Sequence, residues 1–262
     1  MKGFDNVIGF DPMNEPFWGS HAPATFEREV LQPFYEEITT ELRKEAPDWI
    51  GFFEPSTTKN IGMPTSLAPF TVRDAVYAPH AYDVAAEMNQ TFNPASKPVF
   101  EAKITALADD AKTLGAALWI GEYGGIATAK GIGVYMDAAY EAAGSIAAPA
   151  MYWSYDKGGG YSPLAADGSE HVELLDAIVR PYPERVAGDP IAYAHDRTTG
   201  TFTATWRQSA NVSVPTIVSA PARAYPNGFD VACAGCEHRV EGGRVLVTRA
   251  PAGEVTLTLT RR

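Results

Sequence analysis

Val7-Ile8-Gly9-Phe10-Asp11-Pro12-Met13-Asn14-Glu15-Pro16 is a short apolar run that stops at a carboxylate and a turn. Ala117-Leu118-Trp119-Ile120-Gly121-Glu122-Tyr123-Gly124 repeats that build. A short apolar run closed by turn residues reads as a strand buried on both faces, as in a parallel sheet. Strands are predicted at 7–10, 50–53, 76–78, 118–121 and 149–153. Helical patterns fall between and after them, at 25–44, 102–114, 131–143 and 172–179. In the first of these Phe26, Val30, Phe34, Ile38 and Leu42 recur every four residues as an apolar stripe. Glu27, Glu29, Glu36, Glu37 and Glu41 read as its solvated face. Strands alternating with helices argue for an α/β fold with crossover connections. The expectation is part of a (β/α)8 barrel with about five parallel strands, spanning 1–184.

The pattern changes after Arg180-Pro181-Tyr182-Pro183. Short alternating runs at 201–206, 216–218, 244–248 and 255–259 are separated by Pro, Gly and Asn. Such spacing predicts a β-sandwich, taken here as a second domain over 185–262. Cys233 and Cys236 are the chain's two cysteines and lie in this β-rich tail. They read as a small disulfide or a pair of free thiols rather than a redox motif or a zinc site. The loop over 56–72 is rich in Pro, Thr, Ser and Gly, and long loops of this kind often shape a binding site.

The formal charge of −11 disfavours a nucleic-acid partner, which usually meets a basic face. No apolar run approaches the ~20 residues of a transmembrane helix. Met1-Lys2-Gly3-Phe4-Asp5-Asn6 lacks the apolar stretch of a signal peptide, and localisation stays open. No clustered His, Cys and Asp pattern calls for a metal, and no phosphate-loop fingerprint calls for a nucleotide, so no cofactor is expected.

Glu15 and Glu122 each stand at the C-terminal end of a predicted strand, where α/β barrels carry their chemistry. Two carboxyl groups about 5 Å apart can cleave a glycosidic bond with retention: one gives a proton to the leaving oxygen, the other attacks the anomeric carbon. Asn14 is placed to reach a sugar hydroxyl, and Tyr82 to donate to a carboxylate and hold its pKa low. His80 and Tyr82, two residues apart, fall on one side of their strand. Trp153, at the end of the fifth run, offers an apolar platform for a sugar ring. Trp18 is a candidate floor of the cleft, and Glu54, at the end of the second run, a candidate to face it.

Taken together, Asn14-Glu15-Pro16, His80-x-Tyr82, Gly121-Glu122-Tyr123-Gly124 and Trp153 resemble the second half of a family 5 glycoside hydrolase. The run from Asp11 to Pro16, with Arg180–Pro183 leading into a β tail, is most similar to the endoglycoceramidase branch. The resemblance implies a retaining O-glycosyl hydrolase, with Glu15 as acid/base, Glu122 as nucleophile and a sugar or glycolipid as substrate. Members of that family are often secreted. It also implies that the chain starts at the fourth barrel strand. A half barrel leaves two bare sheet edges, so self-association as a homodimer or higher oligomer is expected. The alternative is a weak or inactive remnant that binds carbohydrate.

Overall fold

The computed structural model describes residue 4 and residues 6–262. Residues 1–3 and 5, read above for a leader pattern, lie outside them. By their internal contacts, residues up to Gly125 together with Ala148–Trp153 form one compact unit, and Ile126–Ala147 with Ser154–Arg262 form a second.

Among the described residues, the named strands that pair in parallel all lie in the first unit. These are β1 (Gly9–Phe10), β2 (Ile50–Phe53), β3 (Ala75–Tyr77), β4 (His80–Ala81), β5 (Ala117–Leu118), β6 (Ile120–Tyr123) and β7 (Ala150–Tyr152). They pair in the orders β1-β2-β3-β5 and β4-β6-β7, and every pairing is parallel. The predicted strand 118–121 is thus cut in two, and a separate strand, β4, follows the predicted 76–78. Pro79, which has no N–H to give a ladder, separates β3 from β4. Trp119 separates β5 from β6, its N–H donating to Tyr77 O at 2.9 Å and its ring meeting Phe52 edge to face. β1 and β5 end the first sheet and β4 and β7 the second, so each of these four has one edge without a strand partner among the described residues.

The helices of this unit are α1 (Pro23–Phe26), α2 (Gln32–Glu45), α3 (Val84–Asn89) and α4 (Lys97–Leu114). α4 buries Phe100, Ile104, Leu107, Ala111 and Leu114, one stripe at helical spacing, and stops at Gly115 in the left-handed conformation. A π-helical turn, Glu27–Leu31, joins α1 to α2. Its wider winding shifts the buried face by one residue. Beyond Phe26 the fully buried apolar positions are therefore Leu31 and Tyr35, not the predicted Val30 and Phe34. The shift also carries Glu27 off the expected solvated face and into the interior. There it accepts from Ser56 N and Thr65 Oγ1, each at 2.8 Å, and from Ser66 N, tying down the loop after β2.

The second unit contains α5 (Ile132–Ser145), α6 (Val172–Ile178) and eight strands: β8 (Tyr182–Arg185), β9 (Gly188–Asp196), β10 (Thr201–Gln208), β11 (Thr216–Ser219), β12 (Phe229–Ala232), β13 (Glu237–Glu241), β14 (Arg244–Arg249) and β15 (Gly253–Arg261). Two antiparallel sheets, β12-β15-β10-β9 and β13-β14-β11-β8, form it. Phe202, Ala204 and Trp206 on β10, Val255, Leu257 and Leu259 on β15, and Val245 and Val247 on β14 alternate inward and build its core. A disulfide joins Cys233 and Cys236, which pack against that core. No helix among the described residues is long and apolar enough to cross a membrane.

Candidate active site

The register of the parallel strands decides which side chains meet. β4 and β6 pair with His80 opposite Glu122. Gly121 makes that approach possible: a Cβ there would stand 3.0 Å from Ala78 O and 3.2 Å from the His80 ring. Glu15 follows β1, and its backbone has φ 45°, a left-handed geometry that a non-glycine residue adopts at a cost of about 1–3 kcal/mol. Its N–H donates to Glu54 Oε2 at 2.8 Å. Glu54, one residue beyond β2, is 3% exposed.

His80, itself buried, sits at the centre. Its Nδ1 lies 3.0 Å from Glu15 Oε1 and 3.3 Å from Glu122 Oε2, while its Nε2 lies 3.2 Å from Glu54 Oε1. Tyr82 donates its hydroxyl to Glu122 Oε2 at 2.8 Å. One oxygen each of Glu15 and Glu122 and a ring nitrogen of His80 lie within 4.8 Å of one another, a spacing that a divalent cation could also bridge.

The electrostatics follow from this crowding. Burial lowers the His80 pKa, but bonds to Glu54 and Glu15 and the Glu122 charge overcome it and lift the value to about 9. Burial raises Glu122 above the usual carboxylate range; the His80 charge and the Tyr82 bond pull the other way without cancelling it. Tyr82 therefore supplies the expected hydrogen bond, yet the net direction for Glu122 is upward.

Asp11, quoted in the opening motif without a role, joins the group. Burial of its carboxyl, followed by the Glu54 charge, pushes its pKa to about 7. Much of the residue's surface is nevertheless open. The two facts agree because the carboxyl turns toward Glu54 while the rest of the residue faces outward. Tyr35 completes the floor, donating to Glu54 O at 2.9 Å. An acid inside an otherwise apolar strand end was the signal for Asp11; nothing in the periodicity pointed to Tyr35.

The remaining predicted residues lie around this cluster or apart from it. Asn14 is exposed immediately before Glu15. Trp153 follows β7, is 50% exposed, and donates its N–H to Tyr123 O at 2.8 Å, one residue from Glu122. Trp18 stacks on Phe17 at 3.8 Å and packs against the cluster of Phe26, Leu31, Tyr35 and Phe53. Glu54 bonds to His80 and to the Glu15 backbone from beneath.

Comparison with known proteins gives this arrangement a lineage. The chain is 25% identical to endoglycoceramidase I of Rhodococcus hoagii (strain 103S), over 97% of this chain and 51% of that protein. Endo-glycoceramidase II from Rhodococcus sp., solved with ganglioside GM3, superposes with a TM-score of 0.85 at 28% identity, covering 98% of this chain and 60% of that one. Sterylglucosidase 1 of Cryptococcus neoformans shares the fold at a TM-score of 0.72 and 18% identity. The chain thus spans about half to three fifths of the length of the endoglycoceramidases it matches. The family model for the C-terminal domain of glycoside hydrolase family 5 matches residues 180–259. Because the cellulase (glycosyl hydrolase family 5) model matches residues 3–159, more than half of the chain, the chain belongs to glycoside hydrolase family 5.

Proposed function

We propose that this chain hydrolyses β-glycosidic bonds with retention of configuration, using Glu15 as acid/base and Glu122 as nucleophile. The observation that carries this reading is the spacing: oxygens of the two side chains lie within 4.8 Å. That suits direct attack on the anomeric carbon, whereas inverting enzymes hold their carboxyl groups roughly 6.5–9.5 Å apart to admit a water. The Glu122 carboxylate would attack the anomeric carbon as Glu15 protonates the departing oxygen, leaving a glycosyl ester on Glu122. Glu15, now ionised, would take a proton from water as that water attacks the same carbon and frees Glu122. Asn14 and Trp153 are assigned to sugar contacts.

The likeness to endoglycoceramidases supports a glycolipid substrate, with a glucosyl or cellobiosyl group on the non-leaving side. Residues 1–184 are taken as the barrel portion and 185–262 as its β-sandwich domain. The open edges of β1 and β7 favour self-association that covers them, because unpaired strand edges seek partners.

The test is turnover of a fluorogenic β-cellobioside and of lactosylceramide, with light scattering on the same sample. Glu122→Gln is expected to abolish turnover. Glu15→Gln is expected to spare the first step for aryl leaving groups, which need little protonation, and to stop it for lactosylceramide. No turnover of either substrate by the wild-type protein would reject the reading.

A second reading has its own support. The half-exposed ring of Trp153 also fits a chain that binds carbohydrate without hydrolysing it. It predicts calorimetric sugar binding without hydrolysis, unchanged in Glu122→Gln.

A further inference from the structure

We infer that Glu54 is the positioning residue of this site: from beneath the reacting groups it holds His80 as a double donor and fixes the backbone that presents Glu15. The inference rests on the proposed roles of Glu15 and Glu122 and goes beyond them by assigning work to a side chain that substrate does not reach.

The first line of argument is valence. A neutral imidazole carries one N–H and one bare nitrogen. His80 has a carboxylate at each nitrogen, Glu15 on Nδ1 and Glu54 on Nε2. Two ionised partners can both be satisfied only by the imidazolium. When Glu15 is protonated, its proton can sit on Nδ1 instead, and Nε2–H still donates to Glu54. One proton therefore moves between His80 Nδ1 and Glu15 Oε1 while Glu54 keeps the other ring N–H in place. Glu54 thereby fixes ring orientation and tautomer and makes His80 basic enough to hold a proton for Glu15.

The second line is burial. A carboxylate 3% exposed is costly unless each oxygen is bonded. Glu54 places Oε1 on His80 and Oε2 on the Glu15 N–H. The second bond lands on the residue whose φ is 45°, so it opposes relaxation of that left-handed backbone. One side chain thus controls both the proton and the position of the acid/base. The groups facing His80 are Glu54 beyond β2, Glu15 and Asp11 after β1, Glu122 on β6 and Tyr82 beyond β4. Asp11 also bonds to Glu54 through its carboxyl, and burial followed by the Glu54 charge pushes its pKa to about 7.

The test is side-chain NMR titration of His80 in the intact chain, with no substrate, alongside pH profiles of kcat/KM on the fluorogenic cellobioside. Wild-type His80 is expected to show both ring nitrogens protonated at pH 7.5. In Glu54→Gln its titration midpoint should drop by at least one pH unit, and the basic limb of the profile should move down with it. Glu54→Asp, which keeps the charge, should restore most of the titration. A neutral His80 in the wild-type protein at pH 7.5 overturns the inference even if no variant folds. So does a Glu54→Gln protein whose His80 midpoint is unchanged. An absence of turnover with the expected titrations would reject the hydrolase reading, while the hold of Glu54 on the His80 proton and on the Glu15 backbone would stand.

Discussion

The Tyr82 hydroxyl and Glu122 Oε2 are 2.8 Å apart, and the same oxygen lies 3.3 Å from His80 Nδ1. One hydrogen bond, from Tyr82, and one cationic neighbour, His80, thus act on one oxygen of a side chain that burial is pushing toward its neutral form. A nucleophile must be ionised, so the site works against its own desolvation, and these two groups offset part of it. In Tyr82→Phe the uncorrected burial should raise the Glu122 pKa further. The acid limb of the kcat/KM profile is then expected to move to higher pH, because more base is needed to ionise Glu122. A hydrogen bond to a charged group is worth about 1.5–3 kcal/mol, so kcat/KM near neutral pH should fall roughly 10- to 100-fold. A Tyr82→Phe profile with an unmoved acid limb would show that the phenol does not set this ionisation.

His80 makes the same cluster a source of pH-dependent stability. Its pKa rises from 6.5 to about 9 on folding. A group whose folded pKa is raised contributes stability in full below its unfolded pKa and loses it as pH climbs through the folded value. The loss therefore falls between pH 6.5 and about 9 and amounts to about 3 kcal/mol. Asp11 and Glu122 are also raised, so their contributions have the same sign at lower pH. Urea denaturation at pH 6.5 and pH 9 should show the drop in the wild-type protein. In His80→Gln the difference between the two pH values should shrink, and an equal drop in both proteins would assign it elsewhere.

The alternation of strands and helices was legible because each parallel strand is buried on both faces and reads as an apolar run. Glu15, His80, Tyr82 and Glu122 were legible for a related reason: each breaks or ends such a run with a polar group. The break at Trp119 was not, since it depends on which backbone groups find partners across the sheet. Nor was the π-helical turn at Glu27–Leu31, because one extra residue in a turn leaves no mark on the local pattern. The buried Glu27 opens that turn. In the second unit, β13 is exposed along its whole length and so carries no inward-outward alternation to read.

Glu27 offers a direct test of that unforeseen burial. Its two oxygens serve the backbone N–H groups of Ser56 and Ser66 and the Thr65 hydroxyl. Alanine would leave buried donors unpaired at about 1–3 kcal/mol each. Glu27→Ala is expected to lose about 2–5 kcal/mol in urea denaturation, with faster amide exchange at Ser56 and Ser66. Because the loop it holds begins two residues after Glu54, the pH profile of any activity should shift as well. A solvated Glu27 would give a change within about 0.5 kcal/mol and unaltered exchange.

The second unit has an ion cluster whose disruption should be costly for a different reason. Asp137, on α5, accepts two bonds from Arg197, at 2.9 and 2.7 Å, and one from Arg180 at 2.5 Å. Arg180 is 4% exposed and lies over the Tyr140 ring, 4.4 Å from its centroid. Burial pulls the Arg180 pKa down, yet a guanidinium does not shed its proton at any pH the protein meets. Removing Asp137 therefore leaves a charge that can neither ionise away nor reach water. Asp137→Ala should destabilise this unit by about 3–5 kcal/mol. Asp137→Asn, which keeps one acceptor but no charge, should fall between it and the wild type. Arg180→Met in the Asp137→Ala background should recover much of the loss, because it removes the stranded charge and keeps the packing against Tyr140. Failure of that rescue would mean that lost hydrogen bonds, rather than an uncompensated buried charge, set the cost.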